Sequence, residues 1–285
     1  METQNTTKGA ALVIVGTPIG NLGDISDRAI RELKEADLIC CEDTRRTGKL
    51  LKLLDIVPRP NLSVLNEHTE KIKSREIIQK IKSGSRIALV TDAGMPGIAD
   101  PGEYLIKYAI ENQVKLEIIP GPTAGVVALI ASGLPSSRFV FQGFLPRKGI
   151  ERQQRLTEIA CEEKTTIMFE SGKRLARTLE DLKNTCGEAR DVVIARELTK
   201  LHEEIHRGDL SSMNKKVQTI SNKGEFVLVI SGSQINTDID DATLIEELRK
   251  AINTGRTKRD AVKELAGKYS ISKRRIYELS IEISD

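Results

Sequence analysis

The chain has 285 residues, 44 Lys and Arg against 41 Asp and Glu, 39% hydrophobic residues, 3% aromatic ones and no Trp. This is a globular composition, large enough for one big domain or two smaller ones with a substantial core, and not that of a disordered chain. A net charge of +3 does not announce a nucleic-acid binder, and so few aromatic residues argue against a base-stacking platform.

Met1–Lys8 is short and polar, without the apolar stretch of a secretory signal. The first strand is then expected at Ala11-Leu-Val-Ile-Val15, a continuous apolar run ending at Gly16, as in a strand buried on both faces. Ser26 is placed to cap a helix over Asp27–Ala36, with Ala29, Ile30, Leu33 and Ala36 at helical spacing. Leu38–Cys41 reads as strand, Thr44–Leu54 as helix, Leu62–Leu65 as strand, Lys71–Lys82 as helix and Ile87–Val90 as strand. Tyr104–Glu111 (helix) and Val114–Ile119 (strand) complete an alternation that predicts a mostly parallel sheet covered on both faces. No apolar run approaches the roughly 20 residues needed to span a bilayer.

Pro120-Gly-Pro-Thr123 opens a small-residue helix over Ala124–Ser132, and the domain boundary is placed there. A second α/β set follows: Phe139–Gln142, helix Glu151–Cys161, Thr165–Phe169, helix Lys173–Asn184, Asp191–Ala195, and β-like segments near Glu203–His206 and at Phe226–Ile230. Ser231–Asp241 reads as a linker and Thr243–Ile283 as wholly helical, with breaks near Thr254-Gly255 and Ser270. The expected domains are therefore 1–120, 121–235 and 236–285.

In open α/β sheets ligands sit beyond the carboxyl ends of the strands, where Gly and Pro let backbone approach them. Three loops have that position and composition: Gly16-Thr-Pro-Ile-Gly-Asn-Leu-Gly-Asp24, Thr91-Asp-Ala-Gly-Met-Pro-Gly-Ile-Ala-Asp-Pro-Gly102 and Pro120-Gly-Pro-Thr-Ala-Gly125. None carries the dinucleotide G-x-G-x-x-G or the Walker pattern. Any one alone reads more readily as an ordinary turn; three in one domain point to a site. Polar clusters sit at strand ends too: Glu42-Asp43-Thr44-Arg45-Arg46, Asn66-Glu67-His68, Glu170-Ser171 and Arg196-Glu-Leu-Thr-Lys200. Asp43, Thr44 and Ser171 could each simply cap a helix. Capping leaves Arg45 and Arg46 unexplained, since cations oppose the dipole at a helix start, and an anionic partner is expected for them.

Cys40, Cys41, Cys161 and Cys186 have no metal-ligand or disulfide spacing, and a reducing compartment is expected. His202-Glu-Glu-Ile-His206 matches the H-E-x-x-H zinc signature, with Glu225 downstream. That mechanism needs a helix, and Gly208 with the missing apolar stripe argues against one. No metal site is expected.

At these loops the sequence resembles a known family. Thr17-Pro-Ile-Gly-Asn-Leu22, Cys41-Glu-Asp-Thr-Arg45, Asp92-Ala-Gly-Met-Pro-Gly97 with Asp100-Pro-Gly102, Pro120-Gly-Pro122, Gly143-Phe-Leu-Pro146, Phe169-Glu-Ser171 and Ala195-Arg-Glu-Leu-Thr-Lys200 occur in the order expected of the small-subunit rRNA methyltransferase I group of the tetrapyrrole methylase superfamily. The resemblance runs from about Leu12 to Ile230. It implies two α/β domains with S-adenosylmethionine in the cleft between them, a small helical C-terminal domain, and a cytoplasmic homodimer. The implied activity is methylation of the ribose 2′-oxygen of a cytidine in the decoding region of 16S rRNA in the small ribosomal subunit. Residue by residue, it assigns Pro18, Asp92, Gly94, Met95, Pro122, Thr123, Phe169, Leu198 and Phe226 to the cofactor. The G-x-G-x-G-D common in tetrapyrrole enzymes is here Gly16-Thr-Pro-Ile-Gly-Asn21, which points away from a porphyrin-like substrate. The other readings are a methylase of another RNA or of a small molecule, and a non-enzymatic nucleic-acid-binding regulator.

A ribose hydroxyl is a poor nucleophile, and a carboxylate or amine sharing its proton would assist it. Asp43, Glu42, Asp100, Glu170 and Lys200 are the candidates. Asp43 is favoured as proton acceptor or orienter, with Arg45 forking a phosphate. In the tail, Ala261, Val262, Leu265 and Ala266 make an apolar face, Ser272 can cap a following helix, and residues 249–275 carry ten Lys/Arg against two Asp/Glu. This helix-turn-helix-like rhythm suits phosphate backbone. Lys258, Arg259, Lys273, Arg274 and Arg275, with Arg46, are the expected RNA contacts; a solvated basic bundle is the competing reading.

Overall fold

The apolar runs of the first half become a five-stranded, all-parallel sheet. The computed structural model describes residues 9–66, 68–233, 240–269, 271 and 273–281. The chain divides into two units between Ala124 and Gly125. In the first unit, β1 (Ala11–Val15), α1 (Asp27–Glu35), β2 (Leu38–Cys41), α2 (Thr44–Leu53), β3 (Asn61–Val64), α3 (Glu70–Lys82), β4 (Arg86–Leu89), α4 (Glu103–Glu111) and β5 (Leu116–Ile119) follow in chain order. The sheet order is β3-β2-β4-β1-β5. Successive side chains of a strand face opposite ways, and both faces of this sheet are covered. Val13, Val15, Cys41 and Val90 pack under Ala29 and Leu33 of α1 and Leu51 of α2. Leu12, Ile14, Cys40 and Leu89 pack under Ile77, Ile78 and Ile81 of α3 and Leu105 of α4. Cys40 and Cys41 are thus core residues of opposite layers, and burial, with Cys41 next, pushes the Cys40 thiol up to about 12.

Local signals hold these elements in place. The Ser26 hydroxyl accepts a hydrogen bond from the Ala29 amide (3.1 Å), capping α1 as expected. At the amino end of β4, the buried Arg86 guanidinium binds Glu32 of α1 (2.6 Å) and Glu117 of β5. Glu117 is held down at about 2, first by the Arg86 hydrogen bond. This ion-paired rim lies at the end of the sheet away from the Gly/Pro loops.

The second unit holds α5 (Ala124–Ser132, from its second residue), β6 (Phe139–Phe144), α6 (Ile150–Cys161), β7 (Thr165–Ser171), α7 (Gly172–Cys186), β8 (Asp191–Arg196), β9 (Glu204–Asp209), α8 (Leu210–Lys216) and β10 (Glu225–Ile230). Its sheet order is β6-β7-β10-β8-β9. Only β6 and β7 run parallel; the other three pairings are antiparallel. Hydrophobic periodicity cannot distinguish the two, because strand direction depends on long-range pairing. One face carries Met168, Leu228, Phe226 and Ile194 against Leu156, Leu175, Leu179 and Met213 of α6, α7 and α8. Helix α5 crosses the other face: Gly125 lies against Ile167 and Phe141, and Arg207 of β9 donates to the Ala131 and Ser132 carbonyls at its far end.

The tail forms α9 (Asp241–Asn253), α10 (Lys258–Tyr269) and α11 (Lys273–Ile281) around Leu244, Leu248, Ala261, Val262, Leu265, Ala266, Ile271, Ile276 and Leu279. The predicted apolar face of α10 is the centre of this core. Ser270 and Ser272, the expected turn and cap, lie outside the described residues, as do residues 234–239 of the expected linker and Glu67. No helix among the described residues is long and apolar enough to cross a membrane.

Candidate active site

The three Gly/Pro loops of the first unit converge beyond the carboxyl ends of β1, β4 and β5. Thr17 and Gly94 exchange backbone hydrogen bonds (2.9 and 3.1 Å), tying the first loop to the second. The Thr17 hydroxyl donates to the Thr91 carbonyl (3.2 Å). Gly16 and Gly121 bring the first loop against the third: a Cβ on Gly16 would stand 2.6 Å from the Gly121 Cα and 2.7 Å from the Met95 sulfur. Gly94 has φ +84°, a left-handed conformation that glycine adopts without strain. Pro18, Gly94, Met95 and Pro122 of the expected cofactor set are thereby gathered around one cradle, and Thr123 follows in the same turn before α5.

Asp92 sits at this cradle, and its two oxygens differ. Oδ2 accepts from the Arg46 guanidinium (2.8 Å). Oδ1 is buried and, among the described residues, is the one buried side-chain polar atom with no hydrogen-bond partner. A buried acceptor left unsatisfied costs about 1–3 kcal/mol, a cost that a bound donor relieves.

Glu42 lies alongside. The Thr91 hydroxyl donates to its Oε2 (3.4 Å). Burial, and then the neighbouring Asp92 charge, push the Glu42 carboxyl above the usual range, with the Thr91 hydrogen bond pulling partly back. Asp43 is different. It caps α2, its Oδ1 accepting from the Arg45 amide (2.8 Å), and the Arg45 side chain grips both oxygens (3.1 and 2.6 Å). The Arg45 hydrogen bonds hold this carboxyl down at about 2, which makes it a weak base. The outside anion expected for Arg45 and Arg46 is not required. Arg45 pairs with Asp43 and Arg46 with Asp92, so intramolecular carboxylates already answer both cations at the start of α2. Asp100 lies half-buried in the second loop, between Ala99 at φ 60° and Pro101.

The second unit, taken by itself, gathers its share of the expected residues at the ends of β7, β8 and β10. Phe226 pairs in register with Glu170 on one side and Arg196 on the other, and Leu198 is buried in the loop after β8. That loop holds two non-glycine residues in the left-handed region, Glu197 at φ 51° and Thr199 at φ 64°. Phe169 meets Phe141 and Phe144 edge to face, with centroids 5.0 and 5.6 Å apart. Glu170 and Lys200, expected as proton-handling candidates, are heavily engaged. The buried Glu170 accepts from Thr178 Oγ1 (2.6 Å) and the Ser171 amide (2.8 Å), with Arg174 at 3.3 Å. Ser171 begins α7 without a side-chain cap. Lys200 contacts Glu197 (2.8 Å) and Glu225 (3.0 Å); burial pulls its ammonium down, but these two hydrogen bonds raise it overall.

His206 lies on strand β9 and His202 in the turn before it, so the H-E-x-x-H spacing has no helix beneath it. His206 Nε2 meets Glu204 at 3.0 Å. Among the described residues no three His, Cys, Asp or Glu side chains are grouped to hold a metal.

The tail is less basic as folded than its core segment suggests. Arg275 pairs with Asp241 (2.8 Å), Lys250 with Glu246 (2.8 Å), and Arg256 with Glu264. Across residues 240–281 ten Lys/Arg face seven Asp/Glu. Arg259 is exposed and Lys258 half-buried on α10. The side chains of Lys273 and Arg274 lie outside the described set.

Sequence reasoning missed Thr17 and Thr91, whose hydroxyls link the first loop to Glu42, although both stand inside the quoted loops. It also missed Glu70, whose Oε1 on α3 accepts the Gly102 and Leu105 amides (3.0 Å each) and anchors the second loop. No local pattern signals a cap delivered from another helix.

A family model described as Tetrapyrrole (Corrin/Porphyrin) Methylases matches residues 11–214. A Synechocystis protein named Ribosomal RNA small subunit methyltransferase I is 43% identical over 274 residues, covering 95% of this chain and 98% of its own length. Proteins of the same name from Halalkalibacterium halodurans and Xylella fastidiosa are 41% and 44% identical, covering 97% and 84% of this chain and 96% and 86% of their own lengths. Among solved structures, the methyltransferase CobJ superposes with a TM-score of 0.60 at 19% identity, over 79% of this chain and 95% of its own. Uroporphyrin-III C-methyl transferase from Thermus thermophilus, complexed with S-adenyl homocysteine, gives 0.54 at 15%, over 78% and 97%. These two share the fold.

Proposed function

The chain belongs to the small-subunit rRNA methyltransferase I group of the tetrapyrrole methylase family, whose members are S-adenosylmethionine-dependent methyltransferases, and from that premise we propose that it methylates the ribose 2′-oxygen of a cytidine in the decoding region of 16S rRNA. We read it as acting in the cytoplasm, as a homodimer, on the small ribosomal subunit and without a metal. The observation that carries the site assignment is the orphaned Asp92 Oδ1 at the Gly16–Gly121 cradle.

The residues present fit the cofactor. Its ribose hydroxyls and ammonium are hydrogen-bond donors, and Asp92 Oδ1 is a buried acceptor lacking one. Gly16 and Gly121 let the first and third loops pack backbone to backbone, which sets Met95 and Pro122 beside Asp92's loop. Phe169, Leu198 and Phe226 are the second unit's assigned contribution. When bound, S-adenosylmethionine supplies an electrophilic methyl group on a sulfonium.

The chain's own part is to position the acceptor hydroxyl and take up its proton. Glu42 is the better proton acceptor. It is half-buried with its carboxyl pushed up, whereas Asp43 is clamped by Arg45. Asp43 keeps an orienting role, fixing Arg45 at the mouth of α2, and Asp100 lines the second loop. Glu170 and Lys200 shape the ends of β7 and β8 through their partners. On the tail, Lys258, Arg259, Lys273, Arg274 and Arg275 are assigned to RNA, together with Arg46, whose exposed guanidinium can meet a phosphate while one nitrogen holds Asp92.

Calorimetry with S-adenosylmethionine, paired with transfer of a labelled methyl group to undermethylated small subunits and to free rRNA, tests the reading. Saturable cofactor binding is expected, weakened at least tenfold in Asp92→Ala, with label recovered as an alkali-resistant 2′-O-methylcytidine linkage. Label on a base, or no cofactor binding, refutes it.

A further inference from the structure

The chain is poor in aromatic residues, yet the few it has are not scattered. All five Phe lie in the second unit, and four of them (139, 141, 144 and 169) sit on the adjacent strands β6 and β7. Strand β6 is the edge of its sheet, pairing only with β7. Phe139, Phe141 and Phe144 are exposed by 43%, 37% and 53%, a large apolar area to leave in water at about 25 cal/mol per Å². Three aromatic rings left exposed along one edge mark a surface that something covers.

Their alignment comes from a bulge. Residues 139 and 141 share a face by the two-residue period of a strand, but 144 would fall on the opposite one. The register with β7 shifts between Phe141, opposite Ile167, and Phe144, opposite Phe169. Gly143, at φ 61°, takes up the extra residue. Phe144 is thereby returned to the side of Phe141, and both flank Phe169 edge to face. Phe169, on the neighbouring strand and the same face, stands between the two rings and holds both.

The surroundings are positively charged. From residue 118 to residue 150 there is no Asp or Glu, in a chain that has 41. Arg138 precedes the strand, and Arg147 and Lys148 follow it. All three are exposed and, among the described residues, none of them forms an ion pair. Flat apolar rings beside unneutralised cations match one chemistry well: unpaired nucleotides, whose bases stack on the rings while their phosphates meet the cations.

We propose that the β6 edge, through Phe139, Phe141 and Phe144 with Arg138, Arg147 and Lys148, is a stacking surface for unpaired nucleotides of the RNA substrate. The inference rests on the RNA reading above and adds where, and by what contact, single-stranded segments are held. It also revises the expectation drawn from composition: the average content of aromatics is low, but their local density at this edge is high.

The test uses the full chain and one labelled single-stranded fragment of the decoding region, alone and annealed to its complement, at fixed salt. Phe139→Leu, Phe141→Leu and Phe144→Leu keep an apolar side chain but remove the flat face; the corresponding Tyr variants keep both. Each Leu variant is expected to weaken single-strand binding roughly five- to tenfold. The Tyr variants should stay within about twofold. The sedimentation coefficient should remain unchanged in every variant, and S-adenosylmethionine affinity in Phe139→Leu, since Phe141 and Phe144 rest on Phe169, which is assigned to the cofactor. If the triple Leu variant binds the single strand as the wild type does, or if strand and duplex bind wild type equally, the surface does not stack bases. A fall in sedimentation coefficient in the Leu variants makes this edge a contact between copies of the chain and overturns the proposal. Wild-type protein that binds S-adenosylmethionine but neither form of the RNA overturns the RNA reading itself.

Discussion

The two units differ in one interior charge. In the second, charged side chains below the surface are saturated. Arg152 holds Asp181, Thr178 and the Pro146 carbonyl. Arg190 reaches four carbonyl oxygens, of Ile159, Ala160, Glu162 and Ser231, and Glu170 is met by Thr178, Ser171 and Arg174. In the first unit the Arg86 cluster is saturated in the same manner, but at the opposite end of the sheet Asp92 keeps an acceptor with no donor. Saturated charge is architecture. A buried polar atom left unsatisfied beside glycine backbone is where the chain expects something it does not itself provide.

That contrast breaks down if the two kinds of charge respond alike to substitution. The largest separation is expected at Glu42. Glu42→Gln should lower turnover by about 10²–10⁴-fold while cofactor affinity and melting temperature hold. The wild-type rate should rise with pH through a carboxylate transition displaced above 4.5, since the acceptor works only when ionised, and the Gln variant should lose that limb. A rate profile unchanged in the variant assigns the proton elsewhere.

Arg152→Ala probes the saturated kind. It removes a fully buried side chain together with its hydrogen bonds to Asp181, Thr178 and the Pro146 carbonyl and should cost about 2–5 kcal/mol of stability in denaturant, with S-adenosylmethionine affinity kept in the protein that remains folded. A marked loss of affinity without loss of stability reverses the distinction. Gly16→Ala is intermediate, because it forces the first and third loops apart. We expect about 1–3 kcal/mol of destabilisation together with a clear loss of cofactor binding by calorimetry.

The smallest effect belongs to Asp43→Asn. Asn caps a helix as well as Asp does, and the Arg45 pair is exposed, so melting at neutral pH should move little. The sign with pH is fixed. Asp43 lies below its ordinary 3.8, at about 2, so its contribution is present above 3.8 and fades as pH falls through 2. The difference between wild type and variant should therefore shrink in acid, not grow.

Much of this was legible in the residues. Continuous apolar runs gave β1 and β2 almost to the residue, and Ser26 announced α1, because burial on both faces and capping are local matters. The three loops were legible as candidates because Gly and Pro mark close backbone approach. What stayed hidden depends on distance in space. The antiparallel pairing of β10 with β7 and β8 has no local signature. Glu70 reaches loop amides from another helix. The choice between Glu42 and Asp43 turns on Arg45 folding back onto Asp43. The seven-residue α8, with Leu210 and Met213 as its buried side chains, is too short for its period to stand out. The +8 read from residues 249–275 was diluted by Asp241, Glu246 and Glu247 just outside that window.

The extra residue in β6 turns strand length into a question of parity. Between Phe141 and Phe144 the chain takes three steps while its neighbour takes two, from Ile167 to Phe169. Losing one residue there would even the count, and gaining one would make it worse. A single deletion at 142–143 therefore removes the bulge yet leaves Phe144 two steps from Phe141, on the same side of the sheet and opposite Phe169 as before, whereas an insertion adds a second unpaired residue to the strand. A solvent-facing edge normally tolerates such slippage; this one has a register that its rings keep in step.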